Sequence, residues 1–178
     1  MRFVYGKQEM RSLSRSQESC FLLTNGLGGY ASLTAAYSAN RCDQGVLIAA
    51  QKAPGERVTL VHRLRETLTV DGKPYWLSTQ QFADGTTPED GFRNLSFFAF
   101  ENIPHWRYHI GGVRVTRTMA MTYGQNTTAV IYKVENQSNA ACSLTVDPFV
   151  KFGPKETAIK AAPNISFSQG KVMGDKYT

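Results

Sequence analysis

The stretch "TNGLGGYASLT" sets Gly26, Gly28 and Ala31 in the spacing G-x-G-x-x-A, directly after the apolar "CFLL". In that spacing, glycines let backbone amides approach a pyrophosphate at the N-terminus of a helix, here one running through "YASLTAAYS". The same chemistry requires an acidic residue at the end of the second strand to take the ribose hydroxyls. After "GVLIAA" the chain places Gln51 and Lys52 instead. The rest of the sequence does not alternate helices with parallel strands, as a dinucleotide-binding domain must. These glycines are therefore read as permitting positive φ and close backbone approach in a loop.

Other reactive groups form no constellation. Glycoside hydrolysis needs two carboxylates facing each other across the bond. Glu66, Glu89, Asp90, Glu101 and Asp147 are available, each read at a strand end or in a turn, and spacing alone assembles no pair. His105 and His109 lie on the strand-like "HWRYHI", where a separation of four residues is about 13 Å and chelates poorly. No catalytic residue, metal site or cofactor is assigned. Tyr75-Trp76 and Trp106-x-Tyr108 supply flat faces of the kind that stack on sugars and also fill cores. Arg117 falls in phase with Val113, Val115, Met119 and Met121 on an otherwise apolar face. A charge there must be paired or must face another domain. Cys20, Cys42 and Cys142 include no C-x-x-C pair and are read as small buried hydrophobes in a reducing compartment.

The elements that must position these groups are strands. "GVLIAA" suits a strand buried on both faces, and "RVTLV" and "ETLTV" alternate. In "TLTVDGKPYWLS", Asp71-Gly72 between two β-prone runs predicts a hairpin. "LSFFAFENI", "HWRYHIGGVRVTRTMAM", "TTAVIYKVEN", "CSLTVDPFVKF" and "NISFSQGKV" continue the pattern, with "ENQSNAAC" read as a polar hairpin loop. In "TAVIYKVE", Val130, Tyr132 and Val134 share one face while Lys133 and Glu135 share the other. Only "YASLTAAYS" and "KETAIKAA" offer helices. The fold class is all-β, an antiparallel sandwich or barrel.

The 178 residues correspond to one domain, 1–178, and the end at "GKVMGDKYT" reads as a cut inside a larger protein. The net charge of +6 comes from scattered basic residues interleaved with acids, which argues against nucleic acid as a partner. There is no apolar run of the roughly 20 residues that would cross a membrane. The N-terminus has no apolar segment of the signal-peptide kind, so a cytoplasmic location is expected. The sequons at Asn94, Asn126, Asn136 and Asn164 are read as chance matches.

"FLLTNGLGGYAS" resembles the opening signature of the N-terminal domain of the bacterial and archaeal type of glycogen debranching enzyme, the amylo-α-1,6-glucosidase family. The likeness continues in order through "GVLIAAQKAPGERVTLVHRLRETLTVDGKPYWLST", "GFRNLSFFAFENIPHWRY", "YGQNTTAVIYKV" and "LTVDPFVKF". The resemblance implies a β-sandwich similar to the supersandwich that precedes the catalytic domain in glucoamylase-like enzymes. It also implies that the catalytic carboxylates belong to an (α/α)6 barrel following in the chain, with no cofactor. The expected partners are an α-glucan such as glycogen and that C-terminal catalytic domain of the same protein. On this view the chain alone carries no catalysis, and helps shape the cleft in which α-1,6 branches are cleaved. Asn25, Arg41, Trp76, Arg93 and Trp106 are the expected glucan or interdomain contacts. A free-standing carbohydrate-binding module and a structural or interaction domain remain as alternatives. One loop departs from the family: where relatives read Arg-Tyr-His-Gly, this chain reads Cys42-Asp43-Gln44-Gly45.

Overall fold

Strict apolar–polar alternation gives strands with one face for the core and one for solvent. The computed structural model describes residues 3–52, 55–157, 165–169 and 171–174. In chain order its strands are β1 (Phe3–Gly6), β2 (Leu23–Thr24), β3 (Tyr30–Ser32), β4 (Gly45–Lys52), β5 (Glu56–Val70), β6 (Lys73–Trp76), β7 (Thr79–Gln80), β8 (Glu89–Asp90), β9 (Leu95–Phe100), β10 (Pro104–Ile110), β11 (Val113–Met121), β12 (Thr128–Asn136), β13 (Cys142–Pro154), β14 (Ile165–Ser168) and β15 (Lys171–Gly174). A short helix, α1 (Leu13–Glu18), lies between β1 and β2.

Two antiparallel sheets carry the fold. One has the order β1-β9-β10-β11-β12, the other β13-β5-β4-β3-β2 with β6 added to β5. The expected antiparallel β-sandwich is therefore present, with its core between the sheets. The predicted Asp71-Gly72 turn forms, and a second tight turn divides the run "HWRYHIGGVRVTRTMAM" into two strands. Asp71 and Gly72 take φ of 49° and 75°, joining β5 to β6. Gly111 and Gly112, at 54° and 79°, join β10 to β11.

Several expectations change. "YASLTAAYS" is not helical: Tyr30–Ser32 is a strand and the chain then turns. Ala31, Leu33, Ala35, Ala36 and Tyr37 are all buried, so this run has no solvent face for a surface helix to present. The Thr34 and Ser38 hydroxyls bond each other, and Thr34 Oγ1 also donates to the Ser38 carbonyl and accepts from the Ser38 amide, which favours the turn. Of "KETAIKAA", residues 155–157 form a turn and 158–162 lie outside the described residues. "ENQSNAAC" is not a hairpin loop, because β12 and β13 belong to different sheets and the loop carries the chain across. Cys20 and Cys42 are exposed rather than buried, and Cys142 is partly buried; all three are free thiols.

The largest revision concerns β5. Its two predicted runs fuse into one strand of 15 residues. One edge pairs with β13 along its length, while β4 and then β6 share the other edge. The fusion moves Glu66 from an expected strand end to mid-strand, where it is fully buried and points between the sheets.

Opposite it stands a single cross-strand row: Tyr5, Phe98, Trp106, Arg117 and Tyr132, one from each strand of the other sheet. Arg117 forms an ion pair with Glu66, and neither side chain is exposed. Tyr132 donates its hydroxyl hydrogen bond to the second Glu66 oxygen. Arg117 Nη2 donates to the Tyr108 hydroxyl at 2.8 Å, and Tyr108 in turn donates to the Leu77 carbonyl at 2.8 Å. The guanidinium also lies against the Tyr37 ring, 3.2 Å from its centre, and 4.5 Å from that of Trp106. Thus the charge expected to need a partner has one, inside the sandwich. Burial holds the Glu66 carboxyl above its ordinary value, offset in part by the Arg117 charge and the Tyr132 and Arg117 hydrogen bonds.

Removing one member of a buried pair strands the other charge, which costs about 3–5 kcal/mol. Glu66→Ala and Arg117→Ala should each lose stability on that scale in urea unfolding. The double replacement Glu66→Leu/Arg117→Met should lose far less than the sum, because no charge is then buried.

Candidate functional site

The glycine loop is built around Asn25. Its side chain is fully buried. Its Nδ2 donates to the Gln125 carbonyl and to Asn126 Oδ1, both at 2.9 Å, while its Oδ1 accepts from the Leu27 amide at 2.9 Å. Asn126 extends the clamp by pairing with both backbone groups of Ala50, at 3.0 and 2.8 Å. The β2–β3 loop, the β11–β12 turn and β4 are thereby tied together at one end of the sandwich.

This packing explains the glycines. Gly26 and Gly28 take φ of 79° and 93°, which favours glycine. A Cβ at Gly29 would fall 2.6 Å from Asn25 Nδ2 and from Asn126 Oδ1. The loop closes on its own hydrogen bonds and holds no helix behind it, so it is not a phosphate cradle. Asn25, expected as a contact residue, is corrected to a framework residue because every polar atom of its side chain is engaged internally.

The outward side of the same loop is different. Leu23 and Ala31 face the core, so Thr24, Tyr30 and Ser32 face outward with Cys20 and Leu22. They floor a groove of about 470 Å³ whose walls are the glycine loop, Arg41, Asp43, Gln44 and Arg57. Arg57 Nε donates to the Gly28 carbonyl at 2.6 Å, and its guanidinium lies 5.8 Å from the Tyr30 ring centre. The Tyr30 hydroxyl donates to the Asp43 carbonyl at 2.7 Å. An aromatic face flanked by hydroxyls and guanidiniums can stack on a sugar ring and bond its hydroxyls.

The divergent loop forms one wall. Gln44 is buried, and its Oε1 accepts from the Asn40 and Arg41 amides at 2.9 and 3.3 Å. Gln44 thus fixes the loop backbone internally and leaves Arg41 exposed at the rim. Beside it on β5, burial together with Lys151 and Arg63 holds the His62 imidazole below its ordinary value, against a hydrogen bond to the Gln44 backbone.

The remaining expected residues lie elsewhere. Trp106 is fully buried, donates Nε1 to the Ala35 carbonyl at 2.9 Å, and packs against Phe21, Tyr37 and Phe98. It is corrected from a contact to a core residue. Trp76 is half-buried on the outer face of the six-stranded sheet, opposite Thr67, and its carbonyl accepts from Asn94 at 2.9 Å. Its neighbour Arg93 is exposed and pairs with Asp90 at 3.4 Å. Arg41 therefore lines the groove, whereas Trp76 and Arg93 lie outside it. Tyr30, Arg57 and Gln44 were missed by sequence reasoning. Tyr30 could have been found from its phase opposite Ala31, but nothing local brings Arg57 to Gly28.

The carboxylates are also placed. Glu89, buried, bonds both terminal nitrogens of Arg63 at 2.8 and 2.9 Å and accepts from Ser78 at 2.8 Å. Asp147 pairs with Arg65 at 2.9 Å. Among the described residues, no group of three or more His, Cys, Asp or Glu side chains could hold a metal ion, and no helix is long and apolar enough to cross a membrane.

Fold and groove define an all-β sandwich domain with an aromatic-floored concavity that carries charged and polar side chains in its walls. A family model described as the N-terminal region of glycogen debranching enzyme matches residues 20–177. The chain belongs to that family. No curated protein and no solved structure matches it.

Two outcomes check this geometry. Asn25→Ala strips partners from buried backbone groups and should cost about 2–4 kcal/mol in urea unfolding. His62, held neutral in the fold, binds its proton more readily when unfolded. Stability should therefore fall as pH drops from about 6.5 toward 5, and His62→Asn should flatten that slope.

Proposed function

We propose that this chain is the non-catalytic N-terminal sandwich of an enzyme that hydrolyses α-1,6 bonds in glycogen or a similar α-glucan. Its own task is to pack against a helical catalytic domain of the same protein and to complete the glucan cleft. The observation that carries this reading is the groove over Tyr30: an outward aromatic face with Thr24, Ser32 and Arg41 around it, fixed by the same loop that spells the family signature. The buried carboxylates support it as well. Glu66 and Glu89 are each bound to an arginine, which suits framework duty better than acid–base work. The carboxylates for hydrolysis are assigned to the helical domain. Trp76 and Arg93 are the proposed contact with that domain, and a cytoplasmic location goes with a glycogen substrate.

A free-standing carbohydrate-binding module is the second reading, since an accessible groove can hold sugar without catalysis nearby. Titration of the protein with linear and branched maltooligosaccharides tests both. Tyr30→Ala should weaken binding at least tenfold, as loss of an aromatic stacking face does, while leaving the unfolding midpoint nearly unchanged. Saturation unaffected by Tyr30→Ala would remove the groove from the site. If extending the chain with its helical domain raises affinity, the cleft reading is favoured over the free-standing module.

A further inference from the structure

The groove holds more positive charge than a neutral sugar requires. Elsewhere in the sandwich, Arg63, Arg65, Arg93, Arg114 and Arg117 each have a carboxylate partner. Among the described residues, Arg11, Arg15, Arg41, Arg57 and Arg107 have none within 4.0 Å, and of these Arg41 and Arg57 line the groove. Asp43 is the one acid in the lining; in the adjoining groove, which Arg57 also lines, Glu156 is taken by Lys155 at 2.8 Å.

Arg57 is also pre-oriented. Its Nε is committed to the Gly28 carbonyl, an arrangement that the positive φ of Gly28 accompanies. That bond leaves the two terminal nitrogens of the guanidinium available as a fork, beside the Tyr30 ring. A planar fork matches the paired oxygens of a phosphate or carboxylate, and anchoring it beforehand lowers the ordering cost of binding.

We propose that the groove takes an α-glucan carrying an oxyanion, either a phosphate ester or a carboxylate on one sugar. Tyr30 stacks on the sugar and Arg41 and Arg57 bind the oxyanion. The inference rests on the reading of this groove as a glucan contact and adds the charge of its ligand.

The test is calorimetric titration of the protein with maltoheptaose, with the same oligosaccharide bearing one 6-phosphate, and with one ending in glucuronate. The charged forms should bind roughly tenfold tighter than the neutral one. That advantage should shrink as salt is raised and disappear in Arg41→Gln and Arg57→Gln. The ratio between phosphate and glucuronate forms identifies which oxyanion is preferred. Unfolding midpoints report whether each variant is folded; Arg41 is exposed, so its variant carries the test if Arg57→Gln is not. Equal affinity for neutral and charged forms overturns the inference but leaves the glucan reading standing. Absence of binding to all three overturns both. A charge preference that survives in folded arginine variants overturns the assignment to this groove.

Discussion

The two sheets of this sandwich meet around one buried ion pair. Glu66 comes from the interior of the longest strand and Arg117 from the middle of β11 in the facing sheet. Neither charge can be buried alone, because desolvation of an isolated ion far exceeds what apolar packing would return. The pair therefore fixes which residues of β5 and β11 face each other. A slip of one residue on either strand would turn one charge to solvent and leave the other stranded. The surrounding side chains follow from that constraint. Tyr132 adds a hydrogen bond to Glu66 and Tyr108 one to Arg117, whose Nε has no hydrogen-bond partner among the described residues, and Tyr37 and Trp106 cover the guanidinium with aromatic faces.

A second tie, made of neutral groups, closes one end. Asn25 and Asn126 bind backbone on three separate elements, and the glycines exist to let those side chains and backbones meet. The inner side of the loop is spent on structure. Its outer side forms the wall of the groove and presents the Gly28 carbonyl that holds Arg57. One short stretch thus serves two purposes on opposite faces. A sandwich whose registry is fixed by the central pair gives that groove a rigid floor.

Much of the fold was legible in the sequence. Period-two alternation, Asp71-Gly72 and the apolar run at Gly45–Ala50 each predict what forms, because they act through neighbouring residues. The phase of Arg117 among valines and methionines announced a buried charge. Its partner was hidden because Glu66 was read at the end of "ETLTV", whereas β5 runs unbroken through Arg63 and Arg65. Those two arginines resemble a break in an apolar pattern, yet they lie on the outer face, paired with Glu89 and Asp147. The site was less legible. Trp106 and Asn25 were singled out by residue type, and type does not distinguish a side chain in the core from one at a surface. Arg57 meets Gly28 through the β3–β4–β5 pairing, a contact that spans 29 residues and has no local signature.

Native-state hydrogen exchange measures the central dependence most directly. If the Glu66–Arg117 pair locks the sheets into one cooperative unit, amides around Glu66 in β5 and around Arg117 in β11 exchange only through global unfolding. They should then share the same, highest protection, with the same response to denaturant. Two distinct protection levels, with one sheet opening while the other stays closed, would contradict the account.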